Sequence, residues 1–565
     1  MENTKRACSL SPAKRFWYNS TRDAAFSLYS PFVVCMASGT LDIDVFRRYI
    51  VQDKNFLQAF AHAYEMVEKC LDCVDNDARD TVTQLRVAVL EELKMHNSVC
   101  KEWGVDVTKE IKPNFAMTKY ADFLHAIAMG SANMAVLSTI ATAVEKTKMA
   151  ARTICAMTPC MRLYAFIGHK LESLLQIDGN NHTYKNWIDN YSAVSFQASS
   201  FQIEKLLDKL TISSTDEELE YIERHYKQAM KLEIEFFYAQ KIVQGSLVPL
   251  IRLHGHLEQQ HFIIFSDFDL TCTVVDSCAI LAEVAISNAT KHDQCDFDFH
   301  NSKISSEDLK KSWNDLSRQY IEGFKQWMQG VLVSKKVEEF NYKKLLDALE
   351  VLSKFEKLSN LRVIESGLFK GLMLDDIKQA GRCLPFQDGC IDFFEKIVKE
   401  KKLNTDLHLL SFCWCGDLIR SAFTKGGLDA LNTYSNDFCY EGSTATGEIF
   451  FRLESPMDKI ETFQKILNSK KGAKSLSVFI GDSLGDLLCL LEADIGIVIG
   501  SSSSLRKVGE HFGVTFQPLF NGLVKKQHQF SKDGRMFSWN SSNGTLYTVS
   551  SWAEIHAFVL GSDNI

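Results

Sequence analysis

The sequence predicts two domains of different fold class, an all-α helical domain followed by an α/β domain with a parallel sheet. From residue 16 to about 245, apolar residues recur every three or four positions, which is the spacing of helices that bury one face. Beyond about residue 258, short apolar runs alternate with helical stretches, as in a covered parallel sheet. A chain of 565 residues is also too long for a single core.

The helical pattern of the first domain is clearest in the stretch GTLDIDVFRRYIVQDKNFLQAFAHAYEMV. Its large apolar side chains fall on one face, and Thr40 or Asp42 is expected to cap the helix. Glycine and proline residues interrupt the pattern near its end, so we expect a linker at residues 246–257. The helical domain is therefore predicted to span residues 16–245.

Four apolar runs predict the strands of the second domain, which should span residues 258–565. They are HFIIFSDFD, DLHLLSFCW, SLSVFIGDS and DIGIVIGSS, and each is apolar on both faces. No comparable run occurs between residues 276 and 385, where helical patterns predict an inserted cap at about 280–385. We expect a doubly wound α/β core with a helical cap.

Composition and charge exclude several classes of function. The chain is 46% hydrophobic and 24% charged, with a formal net charge of −8, so it lacks the basic footprint of a nucleic-acid or anionic-membrane binder. No segment approaches the roughly 18 apolar residues of a membrane helix. We expect small-molecule substrates, no nucleic acid, no membrane and a cytoplasmic location. A faint basic bias in residues 1–22 is compatible with a mitochondrial form that carries an amino-terminal extension.

Polar residues with chemical potential follow the predicted strands. Asp267 and Asp269 follow the run FIIFS, and Ser411 follows LHLL. Asp482 and Asp486 lie in GDSLGD, directly after SVFI. Because the carboxyl ends of parallel strands meet at one edge of a sheet, these side chains should lie together. Carboxylates so close repel one another unless a hard cation lies among them, and Mg²⁺ prefers oxygen ligands.

Lys459 is expected in the first turn of a helix that begins near Ser455 and Pro456. A lysine there opposes the helix dipole, which costs up to about 1 kcal/mol at a surface. A bound anion would offset that cost. Each feature alone has an ordinary explanation: two acids at a strand end usually mark a turn, and a lysine in the first turn of a helix is usually exposed to solvent. All of these features in the order D-x-D-x-T, Ser, Lys and G-D-S-x-x-D are much less common than any one of them alone.

This order of motifs resembles the haloacid dehalogenase-like superfamily, which has a Rossmann-like core, over roughly residues 258–565. The resemblance implies that Asp267 is a nucleophile that forms an aspartyl-phosphate. Asp269 would protonate the leaving alcohol and then activate water. Thr271, Ser411 and Lys459 would bind the phosphate.

The same resemblance implies a Mg²⁺ cofactor. Asp267, the backbone carbonyl of Asp269 and Asp482 would hold the ion, and Asp486 would support it from the outer shell. Dehalogenase members lack the second aspartate, so Asp269 favours a phosphatase. A phosphomutase stays open, although the large insert is typical of a cap that closes over a small phosphomonoester.

In the helical domain, two carboxylates fall on apolar helix faces. Asp53 lies seven residues after Phe46 and seven before Phe60, and Glu233 is placed in the same way. Burying a carboxylate without a partner costs several kcal/mol, so each should meet a ligand or a hydrogen-bonded network. Cys160 also lies on an apolar face, where a cysteine is most often inert.

The stretch PFVVCMASGTLDIDVFRRYIVQDKNFL, followed by TPCMRLYAFIGHKL, YKNWIDNYS and LEIEFF, resembles the TenA (thiaminase II) family. The resemblance covers nearly all of residues 16–245 and implies a haem-oxygenase-like helical fold. It implies that Cys160 is the nucleophile, Glu233 the acid/base carboxylate and Asp53 the residue that binds the aminopyrimidine ring. Family members commonly form tetramers, so we expect a homo-oligomer through this domain.

Tyr120, Tyr164 and Tyr191 match residues that line the pocket of this family. Glu235 competes for the role of Glu233, but two residues apart on a helix means opposite faces. Phe56 stands where many members have tyrosine, which removes a hydroxyl from the pocket. The implied mechanism needs an activated thiol of low pKa.

The two resemblances together predict a bifunctional hydrolase of thiamin metabolism. The helical domain would convert aminomethylpyrimidine to hydroxymethylpyrimidine, and the α/β domain would hydrolyse thiamin monophosphate. The alternative is a phosphatase of another small phosphomonoester, with the helical domain acting only as an oligomerisation or ligand-sensing module.

Overall fold

The chain forms two compact units in the computed structural model. The model describes residues 10–72, 74–102, 112–136, 142–178, 182–252, 261–295, 305–400, 403–428, 431–470, 475–533, 539 and 544–562. The first unit comprises Met1–Leu253, Leu523–Arg535 and Ala557–Ile565, and the second comprises His254–Gly522 and Met536–His556. Part of the predicted linker and its end at residue 258 lie outside the described residues, so the predicted domain limits stay predictions.

The described chain before residue 253 is helical, which confirms the all-α prediction. Asp42 caps the fourth helix by accepting hydrogen bonds from the backbone of Asp44 and Val45. The α-helices are α1 (Pro12–Asn19), α2 (Thr21–Leu28), α3 (Pro31–Ala37), α4 (Ile43–Leu71), α5 (Asn76–Glu102), α6 (Phe115–Val136), α7 (Ala143–Asp178), α8 (Lys185–Ser192), α9 (Val194–Leu210) and α10 (Asp216–Tyr238).

The helix α4 lies at the centre of this unit, where it packs against α5, α6 and α7. Its buried face carries Phe46, Tyr49, Phe60 and Asp53, so the acid lies among aromatic rings as the periodicity predicts. Helix α7 also packs against α10. These five helices bring their polar side chains to one buried place.

The second unit contains a seven-stranded parallel sheet in the order β3–β2–β1–β6–β7–β9–β8 and a separate antiparallel hairpin of β4 and β5. The strands are β1 (His261–Ser266), β2 (Thr405–Leu410), β3 (Asn432–Tyr434), β4 (Asp437–Glu441), β5 (Thr444–Phe450), β6 (Ser475–Gly481), β7 (Ile495–Ile499), β8 (Thr515–Pro518) and β9 (Thr545–Val549). The four predicted runs form β1, β2, β6 and β7, so the predicted parallel sheet is confirmed.

Helices cover this sheet and fill the described part of the insert between β1 and β2. They are α11 (Ser277–Cys295), α12 (Ser306–Val333), α13 (Tyr342–Glu365), α14 (Leu374–Cys383), α15 (Cys390–Lys399), α16 (Gly416–Phe423), α17 (Pro456–Lys470), α18 (Leu487–Glu492), α19 (Ser503–His511), α20 (Leu519–Asp533) and α21 (Trp552–Val559). Helices α11 to α14 form the predicted insert, which we call the cap.

The order of the strands determines where a ligand can bind in this unit. Strand β1 pairs with β2 on one side and with β6 on the other, so the chain changes direction across the sheet at β1. In doubly wound sheets, the crevice beyond the carboxyl ends of the strands at such a point binds ligands. The aspartates that follow β1 and β6 lie at this crevice. Within the described residues, no helix is both long and apolar enough to span a bilayer.

Candidate active sites

The residue after β1 is joined to a buried lysine. Asp267 is almost completely buried, and its Oδ1 accepts a 2.7 Å hydrogen bond from Nζ of Lys459. The same Nζ donates to Oδ1 of Asp486 at 2.6 Å. Lys459 has no exposed surface, so its charge is balanced within the site. The structure therefore brings Lys459 together with Asp267, which is 192 positions away in the sequence, and with Asp486, which is 27 positions away.

The acids after β6 have different partners. Asp486 accepts hydrogen bonds at Oδ2 from the backbone of Asp482 and from both the backbone and the hydroxyl of Ser483. With Lys459 on its other oxygen, Asp486 is fully hydrogen-bonded. Asp482 accepts one hydrogen bond, from the Thr271 hydroxyl at 3.1 Å. Asp482 therefore keeps the greater capacity to accept a further ligand.

The remaining predicted residues lie on the loops around this group. Asp269 accepts hydrogen bonds from the backbone and the hydroxyl of Ser277, at 2.7 and 2.9 Å. Between Asp269 and Thr271, Leu270 adopts a positive φ of 59°, a strained conformation that turns the chain sharply after β1. The Ser411 oxygen accepts from the backbone of Cys413 at 3.0 Å, which leaves its own hydrogen available to a ligand.

The electrostatics of this group suit a divalent cation. Burial and the charge of Asp486 raise the pKa of Asp267 to about 7, with Lys459 opposing. Burial and the charges of Asp276 and Asp267 raise the pKa of Asp269 to about 8. Burial and the charge of Asp267 raise the pKa of Asp482 to about 8.

Geometry agrees with this electrostatic result. Asp267, Asp482 and Asp486 each offer a carboxylate oxygen within 4.8 Å of the others. An all-oxygen set is the donor chemistry that Mg²⁺ prefers. The residues present therefore fit the predicted ion.

A cavity of about 480 Å³ adjoins these residues in the second unit. Asp267, Asp269 and Asp482 form part of its lining, and side chains of the cap helices α12 and α13 form another part. A volume of this size is typical of sites for small organic ligands. The arrangement can hold a phosphorylated small molecule with its reacting group at the aspartates.

A second polar cluster lies within the first unit. Glu233 on α10 is buried, and its Oε1 accepts a 2.8 Å hydrogen bond from the Tyr120 hydroxyl on α6. The thiol of Cys160 on α7 is near enough to Glu233 for each group to affect the pKa of the other. Pro159 lies inside the helix directly before Cys160, so one helical N–H donor is missing there. The predicted nucleophile and the predicted acid/base residue therefore lie close together.

The thiol is not of low pKa. Burial raises the pKa of Cys160 well above its usual range, and the charges of Glu233 and Asp53 raise it further. The mechanism suggested by the sequence needs an activated thiol of low pKa, whereas burial near two carboxylates favours the neutral form of this thiol. Burial also raises the pKa of Glu233 to about 7, with Tyr120 and Cys160 opposing. Activation of this sulfur requires transfer of its proton.

Asp53 belongs to this cluster and lies near His96 and Glu92, two residues that the sequence analysis did not identify. One oxygen of Asp53, Oδ2, has no hydrogen-bond partner, and it lies 3.6 Å from Nδ1 of His96. Burial raises the pKa of Asp53 well above its usual value, with Glu92 and Glu233 adding to it. Glu92 accepts a 2.8 Å hydrogen bond from the Tyr191 hydroxyl. A buried acceptor without a hydrogen bond, beside an imidazole nitrogen without a hydrogen bond, is suited to a ligand with both donors and acceptors.

The sequence did hold a signal for Glu92 and His96. They continue the apolar stripe of α5 that runs through Val82, Leu85 and Val89, at spacings of three and four. This is the same argument that singled out Asp53. Polar residues on the buried face of a helix mark a network or a ligand site.

Two other residues that were predicted to line the pocket, Tyr164 and Tyr191, lie close to each other in the helical unit. Tyr164 lies with its ring 4.9 Å from that of Tyr191, and its hydroxyl accepts a 3.2 Å hydrogen bond from Tyr49. Phe56 packs on Tyr120, with ring centroids 4.6 Å apart. Glu235 instead pairs with Lys119 away from the cluster, as the opposite-face argument predicts.

The folds and the two clusters define a two-domain protein that joins a TenA-like helical domain to an α/β domain with an acidic cluster beyond the ends of its parallel strands. Residues 25–241 match the TENA/THI-4/PQQC family. The chain is 53% identical over 552 residues to the bifunctional TH2 protein, mitochondrial, of Arabidopsis thaliana, covering 97% of this chain and 89% of that relative. The chain belongs to the bifunctional TH2 protein family.

Two further similarities are limited to parts of the chain. An aminopyrimidine aminohydrolase of Helicobacter pylori is 25% identical over 212 residues, covering 37% of this chain and 88% of that protein. A solved structure described as a phospho-aspartyl intermediate analogue of phosphoserine phosphatase covers 44% of this chain and 91% of its own, at 16% identity and a TM-score of 0.28.

Proposed function

We propose that the α/β unit hydrolyses thiamin monophosphate to thiamin and that the helical unit hydrolyses aminomethylpyrimidine to hydroxymethylpyrimidine. Membership of the bifunctional TH2 protein family supports the pairing of two activities, and the similarity to aminopyrimidine aminohydrolases supports the second. The observation that carries the phosphatase half is the contact of one buried lysine with both Asp267 and Asp486, beside Asp482.

The first phosphatase step is attack by Asp267 on phosphorus. Oδ1 of Asp267 accepts from Lys459, so Oδ2 is the oxygen available to attack. The bond between phosphorus and the ester oxygen breaks as the aspartyl-phosphate forms. Asp269, which Ser277 holds by two hydrogen bonds, gives its proton to the departing alkoxide.

The second step releases phosphate. Asp269 takes a proton from a water molecule as that water attacks the phosphorus, and the bond to Asp267 breaks. Lys459 and the Ser411 hydroxyl hold the phosphoryl oxygens while charge develops on them. Thr271 was predicted to bind phosphate as well, and the direction of its hydroxyl toward Asp482 favours a positioning role for its side chain.

Mg²⁺ is the cofactor that we propose for this reaction. Asp267, Asp482 and the backbone carbonyl of Asp269 would hold it, and when bound it supplies positive charge beside the phosphoryl oxygens. Asp486 already accepts four hydrogen bonds, which favours an outer-shell role for it.

In the helical unit, we propose that Glu233 takes the Cys160 proton as the sulfur adds to the pyrimidine ring. The exocyclic carbon then expels its amine, which receives that proton from Glu233. Water adds to the exocyclic methylene with loss of a proton to Glu233, and the carbon–sulfur bond breaks to free the thiolate, which recovers the proton. Asp53 binds the ring through its unpartnered oxygen, and Tyr120 orients Glu233.

Location and assembly are also proposals. The name of the Arabidopsis relative includes a mitochondrial location, and we propose that an amino-terminally extended form of this chain goes to mitochondria while a shorter form is cytoplasmic. We propose in addition that the helical unit forms a homo-oligomer. Size measurement of the full chain in solution tests the second point.

Two single substitutions test the two activities against each other in the full chain. Asp267→Asn should abolish phosphate release from thiamin monophosphate and retain conversion of aminomethylpyrimidine, and Cys160→Ser should do the reverse. If wild-type chain releases phosphate but does not convert aminomethylpyrimidine, the helical unit serves only as an oligomerisation or sensing module. If Cys160→Ser keeps full conversion, the nucleophile assignment is wrong.

A further inference from the structure

The lining of the cap cavity is strongly acidic. Among the described residues that form it, carboxylates outnumber cations by six to one; they are Asp267, Asp269, Asp276, Glu356, Glu454 and Asp482, against Arg362. Three of the acids belong to the reaction centre. The other three, Asp276, Glu356 and Glu454, line the same cavity and have no assigned part in the reaction. A lining of this sign repels an anionic alcohol and attracts a cationic one.

Glu356 on α13 is one of the three lining acids outside the reaction centre. Its Oε1 accepts a 2.8 Å hydrogen bond from the Tyr320 hydroxyl on α12. The charges of Glu356 and Asp276 both act on that hydroxyl. Asp276 is in turn the charge that acts most on Asp269. Carboxylates therefore line the cavity both at the reaction centre and on the cap helix α13.

The carboxylate of Glu356 has a neutral donor and, among the described residues, forms no ion pair with a cation. Burial raises its pKa to about 7, with only the Tyr320 hydrogen bond opposing. The adjacent lysine, Lys357, does not neutralise it, because its Nζ donates to Asp458 at 2.8 Å. A positively charged group bound in the cavity would favour the ionised form of Glu356.

Aromatic rings also line this cavity. Trp313 and Tyr320 lie seven residues apart on one face of α12, and Phe412 and Trp414 follow β2; all four line the cavity. The Trp414 ring is held by a 3.0 Å hydrogen bond from its Nε1 to Asn360. Aromatic faces combined with carboxylates bind flat or quaternary cations through stacking and cation–π attraction.

From these contacts we propose that the cap cavity selects phosphomonoesters whose alcohol part is a flat aromatic cation, and that Glu356 determines this selectivity. The proposal rests on the phosphatase function and adds the chemistry of the leaving group. Glu356 strengthens binding of the positively charged ring, whereas Asp267 and Asp269 carry out the reaction at the phosphoryl group.

The test compares three phosphomonoesters on the full chain with Mg²⁺. Thiamin monophosphate has an aromatic cation, phosphocholine has a cation without a ring, and 4-nitrophenyl phosphate has a ring without a cation. Glu356→Gln keeps the size of the side chain and removes its charge. Its ratio of kcat/KM for thiamin monophosphate over 4-nitrophenyl phosphate should fall about tenfold, mainly through a higher KM for the cationic ester.

Glu350→Gln is the matched control, because Glu350 is exposed on the same helix and lies outside the cavity lining. It makes the same change of net charge and should leave the ratio unchanged. Turnover of 4-nitrophenyl phosphate shows in each sample that the reaction centre is intact. An unchanged ratio in Glu356→Gln overturns the proposal.

The outcomes also separate this proposal from the function on which it rests. Suppose that the wild-type enzyme does not hydrolyse thiamin monophosphate but prefers phosphocholine over 4-nitrophenyl phosphate, and that Glu356→Gln loses this preference. That result would overturn thiamin monophosphate as the substrate and the requirement for an aromatic ring. It would support the role of Glu356 in selecting a cation. An enzyme that prefers thiamin monophosphate equally in wild-type and Glu356→Gln forms would support the function and overturn the role of Glu356.

Discussion

The Nζ atom of Lys459 lies 2.7 Å from Oδ1 of Asp267, in a place where the lysine has no exposed surface. The lysine comes from the first turn of α17 and the aspartate from the end of β1. Burying one charge alone would cost several kcal/mol, so the two side chains and Asp486 depend on one another. Sequence reasoning expected an anion near this lysine, and the carboxylates of the site are the anions that it contacts.

Replacement of Lys459 by methionine should therefore affect both activity and stability. We expect phosphate release to fall roughly a hundredfold or more, because a charge that binds the phosphoryl oxygens is lost. The free energy of unfolding of the α/β unit should fall by about 3 kcal/mol, because two buried carboxylates lose their cation. Phosphatase assays and denaturant titrations measure these changes.

The matched control is Lys465→Met on the same helix, where the lysine is exposed and forms a surface pair with Glu461. It should change stability by less than about 1 kcal/mol and leave phosphate release intact. Aminopyrimidine hydrolysis in the Lys459 variant reports that the rest of the chain is folded. A Lys459→Met enzyme with normal phosphate release would contradict the assignment.

The buried strands and the phosphatase motifs could be predicted because their information is local. Strands β1, β2, β6 and β7 are short and apolar on both faces, whereas the unpredicted strands β3, β8 and β9 carry half-exposed polar residues that make no such pattern. Asp267 and Asp269 are two residues apart and Asp482 and Asp486 four apart, so spacing alone relates them.

Residues that act through packing could not be predicted in this way. Glu356 and Tyr320 meet only because α12 and α13 pack together, and neither lies in a recognisable motif. The pKa of Cys160 is likewise a property of burial beside two carboxylates, which a sequence does not contain. Tertiary contacts determine these features, and periodicity gives only the face on which each residue lies.

A burst experiment tests the separate roles of the two aspartates after β1. In Asp269→Asn, 4-nitrophenyl phosphate should release about one equivalent of 4-nitrophenol per chain, because phenolate leaves without a proton, and then turn over slowly. The phosphorylated enzyme accumulates because no base activates water. Rapid-mixing absorbance measures the burst, and Asp267→Asn should show none. Steady turnover of Asp269→Asn without a burst would rule out Asp269 as the base.

Removal of the metal should distinguish the two activities of the chain. We expect EDTA to abolish phosphate release, with recovery on addition of Mg²⁺, and to leave aminopyrimidine hydrolysis unchanged in the same sample. Asp482→Asn should raise the Mg²⁺ concentration for half-maximal activity by at least about tenfold, because Asp482 is a proposed ligand. Full phosphatase activity in EDTA would show that the acidic cluster does not serve a metal.

The pH dependence of aminopyrimidine hydrolysis should report the ionisation of Glu233. Burial raises the pKa of Glu233 to about 7, and only the ionised form can accept the Cys160 proton. With a pKa near 7, the ionised fraction rises from about 9% at pH 6 to about 91% at pH 8, so kcat/KM should rise about tenfold over that range. Glu233→Gln should remove this rise and lower the rate by roughly 10² or more.

Two further variants identify the group responsible for the rise, because burial raises the pKa of Glu92 to about 7 as well. Glu92→Gln should keep the midpoint near pH 7, since Glu92 faces Tyr191 rather than the thiol. Glu235→Gln, on the same helix as Glu233 but paired with Lys119, should also keep it. If the rise persists in Glu233→Gln and disappears in Glu92→Gln, the base that accepts the Cys160 proton is Glu92, and the proton passes to it through the cluster around Asp53.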